Sequence, residues 1–186
     1  HDPDYTHTFA DRHPQFVLED VRVPASAVLG EIGAADEMTN EWFVEERIHI
    51  GARCSGAMER LLTMAVEWAT ERVQFGQRIY DFQGVSFPLA DSAADCVAAR
   101  LMTYQCAQMV DDGAPPKLVH ARAAMAKLFS SQVADRITSQ CLELFGGYGY
   151  SKEYPAEKYY RDAKIGTIYE GTSNMQLQTI AKGLLK

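Results

Sequence analysis

The sequence of 186 residues has no basic cluster, no long apolar run and no closely spaced pair of cysteines. Its 18 lysines and arginines are outnumbered by 25 aspartates and glutamates, so the net charge is −7. Binding to a phosphate backbone is driven by counterion release to basic residues, and the sequence therefore argues against nucleic acid as the main partner. No apolar run approaches the ~20 residues of a membrane-spanning helix, so we predict no membrane span.

Metal and disulfide sites also lack their usual signals. None of the cysteines has the C-x-x-C spacing typical of zinc sites, and we expect them to be reduced, in a reducing compartment. They are Cys54, Cys96, Cys106 and Cys141. A di-metal bundle takes two Glu-x-x-His pairs, but only Glu46 and His49 form one, since His120 has no glutamate three residues before it. We therefore predict no metal site.

Helical periodicity is what the sequence does contain. A strand-like stretch at 16–23, closed by Pro24, is followed by apolar residues that recur at steps of three and four. This pattern predicts long helices over about 36–74, from near 90 to 111 and over 116–145, a short helix near 155–163 and a last helix at the C-terminus. We predict an all-α fold: an antiparallel four-helix up-and-down bundle with a short N-terminal β-strand remnant.

Each helix has a stripe that we predict to face the core. The stripes are Ile50, Cys54, Ala57, Leu61, Met64 and Trp68; Ala90, Ala94, Val97, Leu101 and Tyr104; Leu118, Ala121, Met125, Leu128, Ile137, Cys141 and Leu144; and Leu177, Ile180, Ala181 and Leu184. Pro88 predicts a kink or a late start of the second helix, and Gly113 predicts its C-terminal cap.

The strand-like stretch has nothing in this sequence to pair with. An isolated strand with one apolar face is not stable, so we expect it to belong to a sheet in a longer polypeptide. We divide the chain into a β-domain remnant with linker (1–35) and a helical bundle (36–186).

Three loops combine helix ends, glycines and polar groups that can hold an anion or the edge of a ligand. They read "ERVQFGQRIYDFQG" (71–84), "LELFGGYGYSKEYPAEKYYRDAKI" (142–165) and "IYEGTSN" (168–174). In this order they resemble the C-terminal region of the acyl-CoA dehydrogenases, flavoenzymes that oxidise the α,β bond of acyl-CoA thioesters. The resemblance covers essentially the whole chain, and 1–35 is similar to the end of the family's middle β-domain.

The resemblance implies contacts to FAD on all three loops. Some grip the pyrophosphate and adenosine of a neighbouring subunit's cofactor, and those after the catalytic acid face the flavin. The implied residues are Arg72, Gln74, Phe75, Phe82, Gln83, Glu143, Gly146, Gly147, Thr172 and Asn174. On residue type alone, Phe82 and Gln83 are also ordinary at a helix start. Many members have glutamine where this chain has Glu143, and an ionised glutamate cannot donate the hydrogen bond that an amide can.

The resemblance also implies a catalytic base. Glu170 matches the acid that removes the substrate's α-proton, with Tyr169, Gly171 and Arg47 at the substrate. A base needs a pKa near the working pH, and burial raises that of a glutamate. Other members take the base from the first helix, where this chain has Glu46, so Glu46 is the alternative. Without the resemblance, Glu170 could cap the last helix, and Arg47 could form a surface ion pair.

The implied protein is a homo-oligomer, a dimer or a tetramer, that acts on acyl-CoA and passes electrons to an electron-transferring flavoprotein. We expect it in the cytoplasm of a bacterium or the mitochondrial matrix of a eukaryote, and we expect this chain by itself to be inactive. Two other functions fit the same sequence: an acyl-CoA oxidase and a non-catalytic helical interaction module.

Overall fold

A computed structural model describes residues 1, 3–10 and 13–185, and the all-α prediction is confirmed. Within the described residues the chain forms five α-helices and a two-stranded antiparallel sheet. They are α1 (Ala35–Glu71), β1 (Val73–Gln74), β2 (Gln77–Arg78), α2 (Gln83–Asp111), α3 (Pro116–Phe145), α4 (Ala156–Lys164) and α5 (Ser173–Leu185). Lys186, the last residue of the predicted bundle, lies outside the described residues.

Contacts between the longer helices show that they alternate in direction. Gly51 of α1 lies against Thr103 of α2, and Glu59 further along α1 pairs with the earlier residue Arg100, so the two helices are antiparallel. Helices α2 and α3, and then α3 and α5, are related in the same way. The topology is therefore up-down-up-down, and α3 packs against each of the other four helices.

The residue type at several helix ends explains why the helix begins or ends there. Helix α3 begins with Pro116, which has no backbone N–H that would need an acceptor, and it ends at Phe145, followed by Gly146 with φ +62°. Gly113 has φ +65° after α2, which confirms the predicted cap. Of the two alternatives predicted at Pro88, a kink or a late start of α2, the late start is wrong. The Phe82 carbonyl accepts bonds from Val85 and Ser86, and this turn starts the helix before Pro88.

The core lies between α1 and α3. Met58, Leu61 and Ile137 are fully buried there, and small residues of α3 allow α1 to approach closely. Most of the predicted α1 and α3 stripe residues are buried or half-buried, although Leu118 is exposed. On α1 the fully buried residues are Met58, Leu61, Ala65 and Ala69. This row shares Leu61 with the predicted stripe and otherwise lies beside Ala57, Met64 and Trp68.

The predicted core face of α2 is wrong. Val97, Leu101 and Tyr104 are 58%, 63% and 61% exposed. Ala90 and Ala94 are exposed as well. The buried residues are Ser92, Ala99, Thr103 and Cys106, because small side chains let α2 lie close to α1 and α3. The α5 stripe fails similarly, since Leu177 and Leu184 are exposed while Gln176 is buried.

The strand-like stretch at 16–23 forms no ladder in the described part of the chain. Its apolar side chains are exposed, Phe16 at 80% and Leu18 at 79%, as expected for a strand that has no partner here. Pairing occurs instead between β1 and β2, a hairpin within the stretch 71–84 that the sequence analysis treated as a loop. Among the described residues, no helix is both long and apolar enough to cross a membrane.

Candidate active site

Glu170 lies in the loop between α4 and α5, three residues before α5 begins. Its backbone has φ +53°, and the following Gly171 has φ +92°. The left-handed region costs a non-glycine residue roughly 1–2 kcal/mol, so this conformation needs support from its surroundings. The side chain of Glu170 is half-buried, as is the preceding Tyr169, which packs against the core.

Two fully buried polar side chains provide that support. The Nζ of Lys127 on α3 donates a hydrogen bond to the carbonyl of Gly171 at 2.7 Å. The Nε2 of Gln176 on α5 donates to the carbonyls of Glu170 at 3.0 Å and Gly171 at 2.8 Å. We call Lys127 and Gln176 the carbonyl clamp. The sequence analysis missed both residues, although Lys127 stands among alanines and serines on the buried face of α3.

Glu170 is surrounded by charged groups of both signs. Burial is the largest cause of the raised pKa of its carboxyl, and the nearby Glu46 raises this pKa further. The positive charges of Lys127 and Arg47 lower it, but they do not cancel the rise. We call Glu46, Arg47, Lys127 and Glu170 the acid cluster. The carboxyl of Glu170 is thereby shifted toward the range in which a glutamate can accept a proton near neutral pH.

Glu46, the alternative base, lies in the same cluster. It is half-buried on α1, and its Oε1 accepts a hydrogen bond from the indole Nε1 of Trp42 at 3.2 Å. His49, one turn along, places its Nδ1 4.0 Å from the same oxygen. The structure therefore brings the two candidate acids together at one end of the bundle.

Arg47 is only 6% exposed, so its interpretation as a surface ion pair is wrong. Its guanidinium lies 5.4 Å from the ring centre of Phe43, and its Nη1 is 3.1 Å from Nε2 of His120. The pKa of His120 is lowered by burial and by the Arg47 charge, which favours a neutral imidazole that accepts this bond. The Nε of Arg47 has no hydrogen-bond partner among the described residues.

A groove of about 560 Å³ lies at the other end of the bundle, beside the β1–β2 hairpin. We call it the hairpin groove. Its lining includes four of the predicted cofactor residues, Gln74, Phe75, Phe82 and Glu143. Phe82 stands just before α2, so it is both a helix-start residue and part of the groove, while Gln83 is the first, exposed residue of the helix.

Phe75 is the most unusual residue of the groove. It is 94% exposed at the tip of the hairpin and has φ +55°, followed by Gly76 at φ +80°. Two successive positive φ values are typical of the tight turns that match the twist of a hairpin, but a bulky residue at the first position is strained. Its ring meets that of Phe82 edge to face at 6.2 Å. The chain thus presents an aromatic ring to solvent above the groove, on a residue whose backbone is strained.

The other predicted cofactor residues lie outside the groove lining. Arg72 places its guanidinium over the rings of Trp68 and Tyr148, at 5.7 Å and 5.6 Å from their centres. Gly146 and Gly147 are exposed at the end of α3, and a Cβ on either would meet nothing within 4 Å. Thr172 and Asn174 are exposed next to Glu170 instead. The predicted cofactor residues therefore divide between the two ends of the bundle.

These ends are far apart. From Glu46 to its end at Glu71, next to Arg72, α1 extends about 40 Å at the rise of an α-helix. Buried side chains of α1 and α3 fill the space between them.

The protein is thus a helical bundle domain with a half-buried acid at one end and an aromatic groove at the other. Residues 32–185 match the family described as acyl-CoA dehydrogenase, C-terminal domain, and the chain belongs to this family.

Relatives share this region at substantial identity. A short/branched chain specific mitochondrial acyl-CoA dehydrogenase of Rattus norvegicus is 47% identical over 168 residues, 90% of this chain and 38% of the relative. A short-chain specific acyl-CoA dehydrogenase of Megasphaera elsdenii is 41% identical over 172 residues, 92% of this chain and 44% of the relative. The solved structure of butyryl-CoA dehydrogenase from Megasphaera elsdenii superposes with a TM-score of 0.94 at 39% identity, over 100% of this chain and 48% of that one. The chain thus spans less than half the length of these relatives.

Proposed function

We propose that this chain is the helical part of an FAD-dependent acyl-CoA dehydrogenase in which Glu170 is the catalytic base. The observation that carries the proposal is the acid cluster: a half-buried carboxyl with a raised pKa, in a left-handed loop supported by buried donors. The carboxylate of Glu170 takes the proton from the α-carbon as that C–H bond breaks. Bound FAD would supply the acceptor for the hydride that leaves the β-carbon, and the two electrons of the broken α C–H bond would form the double bond.

The residues at the hairpin groove fit the nucleotide half of FAD. Phe75 and Phe82 offer aromatic faces to an adenine ring, and Gln74 offers an amide. Arg72 lies close by with a guanidinium of the type that binds pyrophosphate, and Gly146 and Gly147 leave room for close approach of a ligand. Glu143 lines the same groove as an acceptor if ionised. At the acid cluster, we propose that Thr172 and Asn174 face the flavin, while Arg47, Tyr169 and Gly171 border the acyl substrate.

We further propose that the protein is a homo-oligomer, a dimer or a tetramer. The acid cluster and the hairpin groove lie at opposite ends of a packed bundle, so the residues of one copy would hold the adenosine of an FAD whose flavin meets Glu170 of another copy. The outward apolar stripe of α2, with Val97, Leu101 and Tyr104 exposed, supplies a surface that a second copy can cover.

The relatives suggest the substrate and the electron acceptor. Those from Rattus norvegicus and Megasphaera elsdenii carry names that specify short or short/branched chains, and we propose a short acyl-CoA substrate. A 38% identical relative is a caffeyl-CoA reductase–Etf complex subunit, and we propose an electron-transferring flavoprotein as acceptor. The four free thiols favour a reducing compartment, cytoplasmic or mitochondrial.

An acyl-CoA oxidase is the second candidate. The prolyl acyl carrier protein oxidase AnaB has a TM-score of 0.93 to this chain at 31% identity, so the same bundle serves an oxidase. Oxygen consumption during turnover, set against reduction of an electron-transferring flavoprotein, separates the two activities.

The test is anaerobic titration of the full-length protein with a panel of acyl-CoA thioesters, followed by flavin bleaching. Glu170→Gln and Glu46→Gln remove each candidate base, and Glu45→Gln is a matched control because Glu45 is an exposed acid next to Glu46. We expect short thioesters to bleach the wild type and the control, and Glu170→Gln to abolish bleaching.

Loss of bleaching only in Glu46→Gln would transfer the role of base to α1. If no thioester bleaches the wild-type flavin, the dehydrogenase proposal fails and a non-catalytic bundle remains.

A further inference from the structure

Lys127 is a fully buried side chain that the proposed reaction does not use. Burying an ammonium group is unfavourable unless it is hydrogen-bonded, and an apolar side chain of similar volume often fills such a place at no loss of stability. A lysine in the middle of α3 therefore needs a reason. The reason visible in the structure is its Nζ, which donates to the carbonyl of Gly171 at 2.7 Å.

Gln176 approaches the same backbone from α5. Its side chain is also fully buried, and its Nε2 donates to the carbonyls of Glu170 and Gly171. Two successive carbonyls thus receive three hydrogen bonds from two helices. Both residues to which these carbonyls belong have positive φ, and at Glu170, which is not a glycine, that conformation is strained.

We propose that the carbonyl clamp, Lys127 and Gln176, positions the catalytic base: its bonds to the carbonyls of Glu170 and Gly171 maintain the left-handed turn that sets the direction of the Glu170 carboxylate. The inference rests on the proposed function of Glu170. Lys127 and Gln176 are positioning residues, because both act on the backbone of Glu170 and Gly171.

Lys127 and Gln176 differ in one respect that an experiment can use. Glu170 faces Glu46 and Arg47 from α1 and Lys127 from α3, and Lys127 itself faces Cys54 and Arg47 from α1. The charge of Lys127 lowers the pKa of Glu170, so its removal raises that pKa. Removal of the neutral Gln176 takes away two bonds and no charge.

The experiment compares Lys127→Met and Gln176→Met in the full-length protein, with Lys117→Met as a control on an exposed residue of α3. The first measurement is the rate of flavin bleaching per bound flavin by a short acyl-CoA, as a function of pH. The second is amide hydrogen exchange of 169–173 without substrate, which does not depend on activity.

We expect both clamp variants to exchange these amides faster and to bleach on the order of 10²-fold more slowly at the pH plateau, the size of effect that a small misplacement of a catalytic group produces. Lys127→Met also shifts the pH midpoint upward, whereas Gln176→Met leaves the midpoint unchanged. Lys117→Met behaves as the wild type.

Unchanged amide exchange in both variants would overturn the clamp, whichever acid is the base. If amides 169–173 exchange faster but the bleaching rate per bound flavin is unchanged, the clamp only stabilises the loop, and its proposed role in positioning the base is overturned. Failure of the proposed function is seen separately, as bleaching that survives Glu170→Gln. Should Lys127→Met not fold, Gln176→Met carries the test, because it removes two of the three bonds.

Discussion

Polar groups are mostly buried at one end of this bundle and exposed at the other. At the acid cluster, Arg47 and Lys127 are buried and Glu170 is half-buried. Lys127 and Gln176 donate hydrogen bonds to the backbone of this loop. At the hairpin groove, Phe75 and Glu143 are exposed and the glycines face open space. Packing therefore determines the geometry at one end, while the other end is an open surface that a ligand or another copy can cover. Substitutions should affect stability at the first end and ligand binding at the second.

The largest difference should appear between two glycines with left-handed backbones. Gly171→Ala places a Cβ 2.8 Å from Nε2 of Gln176, whereas Gly76→Ala meets nothing within 4 Å. Both substitutions incur the backbone cost of about 1–2 kcal/mol, and Gly171→Ala adds the disruption of a buried hydrogen bond, for a total of about 3 kcal/mol. Urea unfolding of the two variants and the wild type measures the difference. An equal decrease in the free energy of unfolding for both variants would mean that the two ends of the bundle are equally open.

A second prediction concerns the pH dependence of stability. Burial lowers the pKa of Lys127 from 10.5 to about 8 in the folded protein. Between these values the unfolded chain binds more protons than the folded one, so the contribution of Lys127 to stability rises with pH, by about 1 kcal/mol from pH 7 to 9.

Lys127→Met should remove this rise in the free energy of unfolding. Urea unfolding of variant and wild type at each pH gives the contribution of Lys127 as the difference between the two proteins. Burial raises the pKa of Cys54 to about 11 and that of Cys141 to about 12, and these thiols lower stability above about pH 9 in both proteins. Parallel pH profiles for variant and wild type would contradict the assigned pKa of Lys127.

The smallest change in stability is expected at the hairpin tip. Phe75→Gly relieves the φ of +55° and removes a side chain that is 94% exposed, so stability should rise by about 1 kcal/mol or less. If the ring binds adenosine, the same variant should hold FAD more weakly, which equilibrium dialysis of the full-length protein measures. Marked destabilisation would show that the groove end depends on packing too.

The sequence predicted the fold class and most helix ends because those features are local. Pro116, Gly113 and Gly146 act on their own turns of the chain, and each lies where its chemistry indicated. The prediction of the buried face of α2 was wrong because that face depends on packing against other helices. A stripe of Val97, Leu101 and Tyr104 shows where apolar residues recur, but small residues can fill the interior while the stripe faces outward.

The candidate site shows the same division. Glu170, Glu46 and Arg47 were chosen from motifs, and the structure brings them into one cluster. Lys127 and Gln176 carry no motif, since a lysine or glutamine in a helix is ordinary on the surface. Their burial and their bonds to the carbonyls of Glu170 and Gly171 arise only when α3 and α5 pack together.

The helices, most of their ends and the family were predictable from the sequence, because periodicity, turn residues and motifs are read along the chain. The buried face of α2, the position of both candidate acids at one end of the bundle and the two buried donors to the backbone of Glu170 became visible only in the folded structure. These features depend on distances between residues that are remote in sequence, and packing sets those distances.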